Sequence, residues 1–424
     1  MPPASRRDLL RFSFVPLLSL LASSRRAGAA SIPLDEEVRG LWVTRSWMTT
    51  PAQVAQVVTD ARRHGITAIF AQARGRGDAF YRGGPDPRST LLARQPAGFD
   101  PLAELVARAQ AAGVQVHAWL NANLVSGATG ISTSPQHVLV QHPEWLMVPR
   151  DLAGGLLGLD PRDRRYVARL AGWSQRHSAT IEGLFTSPIH EGAQDRLVAV
   201  IDHLTRQYTL DGLHLDYVRY PSADFDYSRA ALDAFRTVLL PELTPAELAT
   251  MDGKAKRDPF AFVTDYASRW TAFRRARLAH LVTRLRDTAR TNRPSIRVTA
   301  AVWPDAEDAR QRKLQDWPGW LRAGLVDAVC PMMYTSARAA FERQLQALAQ
   351  QPAGSVWPGI GAFKITAAEA AHRVDVARAM GFSGVLLYSY DSMSGGAGRP
   401  STYLAAVQRR AFPTVAYGEA GASR

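Results

Sequence analysis

The sequence predicts an α/β protein folded as a single (β/α)8 TIM barrel, with long loops after strands 3 and 4. Two observations carry that prediction. Eight apolar runs rich in Val, Ile, Phe and Tyr recur along the chain, and segments of helical period lie between them. The runs are also continuous rather than alternating, as strands buried on both faces of a parallel sheet must be. Strict alternation over about eight strand–helix units is the pattern of such a barrel. The alternative is an open doubly wound sheet, but no Gly-rich phosphate fingerprint follows the first strand. Gly75-Arg76-Gly77-Asp78, after the second strand, lacks the third glycine and any helix start.

Taken in order, the strands are expected at 38–45, 66–74, 114–124, 212–220, 296–303, 326–334, 356–363 and 382–390. The helices are expected at 51–64, 101–112, 193–208, 265–291, 317–325, 337–350, 367–380 and 400–411. Thr50-Pro51 and Asp100-Pro101 each set a capping side chain before a proline at the first helical position. Gly65, Gly113, Gly212 and Gly381 stand just before the next strand, where a helix stop belongs. Cys330 falls inside the sixth strand as core packing. Trp270-Thr271-Ala272-Phe273-Arg274-Arg275 reads as an amphipathic helix face with solvated arginines. A barrel core takes about 250 residues. The surplus falls at 126–192 and 222–265, both after strands, and these connections are expected to build a cleft rather than a second domain.

Composition bounds the class. The chain has 424 residues, 46% of them hydrophobic and 21% charged, which is globular rather than disordered. A single cysteine excludes an intramolecular disulfide and any multi-cysteine metal site. The formal charge is +13, and of the 51 basic residues only Lys254, Lys256, Lys313 and Lys364 are lysine. Such arginine usage is weak evidence for nucleic acid, and no nucleic-acid partner is expected. Residues 1–30 have the order of an export signal: Arg6-Arg7 with Leu9-Leu10 behind them, an apolar run from Phe12 to Ala22, then small residues. The pair resembles a twin-arginine signal, and the apolar run is too short to span a membrane, which takes about 20 residues. The mature barrel is therefore expected at 31–413, exported to the periplasm or cell envelope, with 414–424 as a flexible tail. No transmembrane span is expected.

In a barrel, catalytic groups come from the carboxyl ends of the strands. Those positions hold Arg45, then Gln72, Arg74 and Asp78, then His117, Trp119, Asn121 and Asn123. His214, Asp216, Tyr217 and Arg219 follow, then Trp303, Asp305, Tyr334, Lys364, Tyr388, Tyr390 and Asp391. Rings stack on sugar faces, and amides and guanidinium groups hydrogen-bond to hydroxyls, so the set suits a carbohydrate. No Gly-x-Ser-x-Gly elbow and no nucleotide, flavin or pyridoxal signature occurs, and no cofactor is expected. The histidines show no metal-ligand spacing, so no metal is expected and a metal-dependent deacetylase is disfavoured.

The strongest element is Asp211-Gly212-Leu213-His214-Leu215-Asp216-Tyr217-Val218-Arg219-Tyr220-Pro221. Alternation along a buried strand sends His214 and Asp216 to one face, and Asp216 into the barrel mouth. A carboxylate there is costly unless paired or functional. Its functional reading is nucleophile or electrostatic stabiliser for an oxocarbenium-like transition state. Asp211 is expected at the opposite rim.

With that strand the sequence resembles the glycosyl-hydrolase-like 10 family of exported bacterial proteins, formerly a domain of unknown function. The matching segments include Arg39-Gly40-Leu41-Trp42-Val43, Gln72-Ala73-Arg74-Gly75-Arg76-Gly77-Asp78, Val116-His117-Ala118-Trp119-Leu120-Asn121 and His142-Pro143-Glu144-Trp145. Asp211 to Tyr217, Cys330-Pro331-Met332-Met333-Tyr334 and Pro358-Gly359-Ile360-Gly361 complete the series, over roughly 36–410. The resemblance implies a (β/α)8 fold, an exported lipoprotein or periplasmic protein, and glycoside hydrolase activity on peptidoglycan strands stripped of peptides. Two departures stand out. No lipobox cysteine lies near the signal, and Tyr217 stands where many relatives carry a second acid beside the first.

A glycosidase normally uses two carboxyls. Asp216 is the first, and Asp78 and Asp391 are the candidates for the second. Asp78 also suits a cap for its Gly-rich turn, and Asp391 a helix start. Asp305 and Glu307 read better as loop residues. The binding set is Arg45, Gln72, Arg74, Trp119, Asn121, His214, Tyr217, Arg219, Trp303, Tyr334, Lys364 and Tyr388, with Arg45, Arg74, Arg76 and Arg219 at the cleft mouth able to grip carboxylates. The partner is a cell-wall polysaccharide. The competing function is a non-catalytic glycan-binding barrel of the cell envelope, because fold alone does not settle function.

Overall fold

The structure is a computed structural model and describes residues 37–412 except Ala353, Ala397 and Arg399. The export signal at 1–30 and the tail at 414–424 lie outside the described residues. Among the described residues there are ten strands: β1 (Val38–Val43), β2 (Ala68–Arg74), β3 (Gln115–Asn121), β4 (Leu124–Gly127), β5 (Gly183–Phe185), β6 (Gly212–Asp216), β7 (Arg297–Val302), β8 (Ala328–Met333), β9 (Gly359–Gly361) and β10 (Gly384–Tyr388). Eight of them close a parallel barrel in the order β1-β10-β9-β8-β7-β6-β3-β2. Since β1 pairs with both β2 and β10, the open sheet is excluded.

Alternation assigns each strand's two faces. Leu41, Val43, Ile69, Ala71, Val116, Ala118, Leu213, Leu215, Val298, Ala300, Ile360, Val385 and Leu387 face the helices and join one large apolar core. Trp42, Ala68, Phe70, Trp119, Ala328, Cys330 and Leu386 form a separate core inside the barrel. Cys330 is thus core packing, as expected.

The expected helices lie within a few residues of their places. Thr50 Oγ1 accepts from Gln53 N at 3.2 Å and Asp100 Oδ1 from Ala103 N at 3.0 Å, capping Pro51–Arg63 and Pro101–Ala111. Gly65, Gly113 and Gly381 take positive φ after their helices. Gly212 does not. It opens β6 under the His117 ring, where a Cβ would lie 2.1 Å from Nδ1, so close packing and not a helix stop requires glycine there.

Both long connections lie after barrel strands. The first carries β4 and β5, an antiparallel pair outside the barrel that no sequence pattern had indicated. With the helices Arg164–Arg176, Arg229–Leu239 and Pro245–Ala255, the connections bury Trp145, Tyr166, Tyr227, Phe235 and Trp270 in their own apolar cluster. Two buried polar groups hold them, Asp226 joining the second connection to the first and Arg274 fixing the second to the helix Ala267–Asn292. Asp226 Oδ1 accepts from Val148 N at 2.8 Å and Ser228 N at 2.9 Å. Arg274 lies against Trp270 and donates to the carbonyls of Ala223 and Phe225. Arg274 is therefore not solvated, because the connection at 222–226 folds over it. Among the described residues no helix is long and apolar enough to cross a membrane.

Candidate active site

The inward residues at the carboxyl ends of the strands surround a cavity of about 410 Å³. Asp216, the last residue of β6, lies in its wall and is only 6% exposed. Its Oδ2 accepts from Trp119 Nε1 at 3.1 Å and its Oδ1 from Tyr217 N at 2.7 Å. Burial raises its pKa to about 6, while Arg219 and those two N–H groups hold the rise down. Among the described residues lining the cavity, Asp216 is the sole carboxylate.

Aromatic rings form the rest of the floor and one side. Tyr334 stacks on Tyr388 with ring centres 5.0 Å apart, and the Trp42 edge meets both. Trp42 donates from Nε1 to His214 Nε2 at 3.0 Å. That bond leaves the His214 proton on Nδ1, which reaches Thr299 Oγ1 at 2.9 Å. His214 is fully buried below the floor, and burial holds its pKa well down, so it positions Trp42 as a neutral ring. The polar side consists of Arg45, Gln72 and Asn121. Gln72 Oε1 accepts from Arg45 Nη1 at 3.3 Å, and its Nε2 donates to Asn121 Oδ1 at 3.3 Å.

Tyr217 and Arg219 close the remaining wall. β6 ends at Asp216, four residues short of the expected 220, because Tyr217 turns into the left-handed region at φ 50°. The Arg219 guanidinium lies 4.6 Å over the Tyr217 ring and pairs with Glu182 at 2.9 Å. Burial opposes the charge of Glu182, but Arg219 more than offsets it and keeps its carboxyl low.

The structure therefore brings together Asp216, Arg45, Gln72, Trp119, Asn121, Tyr217, Arg219, Tyr334 and Tyr388. Arg74 is elsewhere. The β2–β3 register shifts between Gln72 and Arg74, so two residues that alternation would align diverge. Arg74 is buried against Asp86 at 2.6 Å, and Asp86 also holds Arg196 at 3.0 Å. Arg76, on the next turn, lines the cavity. Trp303 lines a neighbouring cavity instead, with its Nε1 on Asp308. Lys364 lies outside the lining and donates to the Tyr334 carbonyl at 2.9 Å.

Asp78 and Asp391 stand one step behind the wall. Asp78 accepts from Arg76 N at 2.8 Å across its turn and acts electrostatically on Arg45. Asp391 accepts from Thr44 Oγ1 at 2.5 Å and from Ser46, both of which line the cavity. Asp305 caps the helix Ala306–Arg312 through Asp308 N, and Asp211 accepts from Val116 N at the opposite rim. His117 is buried and stacks on Phe70. Asn123 donates to the Thr186 carbonyl. Among the described residues no group of His, Cys, Asp and Glu could hold a metal.

Sequence reasoning passed over Trp42, Thr44, Ser46 and Glu182. Trp42 lies near the end of β1 and Thr44 and Ser46 just after it, and the strand-end rule that selected Arg45 could have found them. Glu182 sits in a long connection with no periodic pattern, and its pairing with Arg219 spans 37 positions.

The comparisons with known proteins agree with this fold. The chain is 21% identical over 339 residues to the glycosyl hydrolase YngK of Bacillus subtilis (strain 168), covering 72% of this chain and 56% of that protein. It is 23% identical over 346 residues to the glycosyl hydrolase DigH of Escherichia coli (strain K12), covering 71% and 66%. The chain thus spans less than two thirds of the length of either relative. In fold it is similar to the PgaB (BpsB) glycoside hydrolase domain from Bordetella bronchiseptica, with TM-score 0.58 and 15% identity over 88% of this chain and 99% of that one. It is similar also to α-L-fucosidase isoenzyme 2 from Paenibacillus thiaminolyticus, with TM-score 0.57 and 15% identity over 89% and 49%. Residues 37–379, most of the chain, match the sequence pattern of the glycosyl hydrolase-like 10 family, and the protein belongs to that family.

Proposed function

We propose that the protein is an exported glycoside hydrolase of bacterial cell-wall glycan, acting on peptidoglycan strands freed of their peptides, with Asp216 as its central catalytic carboxylate. The setting of Asp216 carries this reading: a lone carboxyl in the cavity wall, at a strand's carboxyl end, raised to about 6 and faced by aromatic rings. A carboxyl of that pKa holds its proton up to about pH 6, well above an ordinary Asp, and can pass it to a leaving-group oxygen. This favours proton donor over nucleophile. The carboxylate left behind is met by the Trp119 and Tyr217 N–H groups and by Arg219. Water completes the cleavage at the anomeric carbon. Asp78 and Asp391 act as positioning residues, the first on Arg45 and Arg76, the second on Thr44 and Ser46.

Family membership supports hydrolysis of an O-glycosyl bond, and the names of YngK and DigH agree with it. Arg45, Arg76 and Arg219 suit the lactyl carboxylates that peptide-free muramyl units expose. Export rests on the sequence of residues 1–30. One observation favours the second reading, a glycan-binding barrel without catalysis: a single carboxylate lines the cavity, with Tyr217 beside it. Incubating the protein with peptide-free strands and weighing the products by mass spectrometry separates the two. Shortened chains, each cut adding one water, are expected. Unaltered strands with retained binding would leave the second reading standing.

A further inference from the structure

We propose that a second cavity on the same face of the barrel holds further sugar units of the strand at Asp216, gripping them through the rings of Trp173 and Trp303. The inference rests on the glycosidase reading and adds to it the length of glycan the cleft takes. The second cavity encloses about 1150 Å³, against about 410 Å³ around Asp216. A pocket for one drug-sized molecule takes about 300–1000 Å³. The first cavity therefore accommodates a short piece of a polymer, and the strand has to continue beyond it.

The two cavities share a wall. Arg219 lines the first, Glu182 lines the second, and their ion pair joins them. The segment at 216–221 runs along that wall, giving Tyr217 and Arg219 to one side and Pro221 to the other. Trp303 directly follows β7, so both cavities open at the strands' carboxyl ends.

Two independent observations point to a sugar ligand. The indole rings are held: Trp173 Nε1 donates to Asp151 at 2.9 Å and Trp303 Nε1 to Asp308 at 3.2 Å. His177 stacks on Trp173 at 4.0 Å, and Lys313 Nζ lies 5.0 Å over Trp303. Both rings remain half-buried, with little freedom left to lose when a sugar stacks. At the shared wall, Arg219 Nε and Nη1 and Glu182 Oε2 are buried without a hydrogen-bond partner. Sugar hydroxyls both donate and accept, and so satisfy donors and acceptor together. The charges lining the cavity balance, Arg150, Arg312 and Lys313 against Asp151, Asp224 and Glu182. Rings and hydrogen bonds set its preference, and an uncharged oligomer suffices to fill it.

The test titrates the Asp216→Asn protein calorimetrically with N-acetylglucosamine oligomers, from the disaccharide upward. Affinity is expected to rise about tenfold or more once the oligomer outgrows the first cavity. Trp173→Ala and Trp303→Ala each flatten that rise, and Trp173→Phe, which keeps a ring and guards against misfolding, retains most of it. No rise with length, or a rise undiminished in both alanine variants, would overturn the proposal. Cleavage of peptide-free strands by the native protein is scored in parallel. Cleavage without the rise defeats the second cavity alone, and the rise without cleavage defeats the hydrolase reading alone.

Discussion

Burying Asp216 in the cavity wall lifts its pKa from an ordinary 3.8 to about 6. If Asp216 donates the proton, kcat/KM falls as pH rises through about 6, and a pH–rate profile on a defined oligosaccharide reads this directly. A rate that instead climbs through 6 would assign Asp216 as base or nucleophile. The same shift has a stability consequence of definite sign. The folded pKa lies above the unfolded one, so the stabilisation is complete below about pH 4 and is lost as pH passes 6. Relative to Asp216→Asn, the native protein should lose up to about 3 kcal/mol across that window. Denaturant unfolding of both proteins at pH 4 and pH 7.5 checks it, and a constant difference would mean Asp216 titrates normally. Arg74 makes a contrasting case. Its partner Asp86 is fully buried, so Arg74→Ala leaves that carboxylate with Arg196 alone and should cost about 1–3 kcal/mol. Activity per folded molecule should fall alike on anionic and neutral glycans, whereas a selective loss on anionic strands would restore Arg74 to the cleft.

At the scale of elements, the barrel was legible because its strands are buried on both faces. Leu213 and Leu215 pack on the helices while His214 and Asp216 turn inward, so apolar runs with polar residues at their ends announce both the barrel and its mouth. That pattern located Asp216, Trp119, Gln72 and Tyr388 without coordinates. It failed where a local event breaks the alternation. The slip in β2 diverts Arg74, the left-handed turn at Tyr217 ends β6 early, and Glu182 reaches Arg219 from a connection whose path no periodicity encodes. Gly212 was read as a helix stop because the same residue serves both needs. Its true constraint is testable: Gly212→Ala forces a methyl into the His117 ring and should cost about 1–3 kcal/mol or more by denaturant unfolding. A neutral substitution would show that the ring can yield. The long connections resist prediction for another reason. They are held by buried polar groups such as Asp226 and Arg274, which look like surface residues in a sequence.

For the whole molecule, the excess of basic residues takes on a different meaning once their places are known. Residues 1–30 contain five Arg and one Asp of the +13 total, and many others are tied in ion pairs with helix carboxylates. Around the cavity at Asp216 the basic groups are local: Arg45 and Arg76, with Arg219 paired to Glu182. Hydrolysis of anionic strands should therefore weaken with rising salt more than hydrolysis of neutral chitin oligomers. Equal salt sensitivity would count against carboxylate recognition. Every reading of the site turns on one carboxyl group, and a single comparison tests it most directly. Rates of strand shortening are measured for the native protein and for Asp216→Asn on the same peptide-free peptidoglycan. The native protein is expected to cleave and the variant to be slower by about 10²–10⁴-fold. Equal rates, or no cleavage by the native protein, would contradict the assignment.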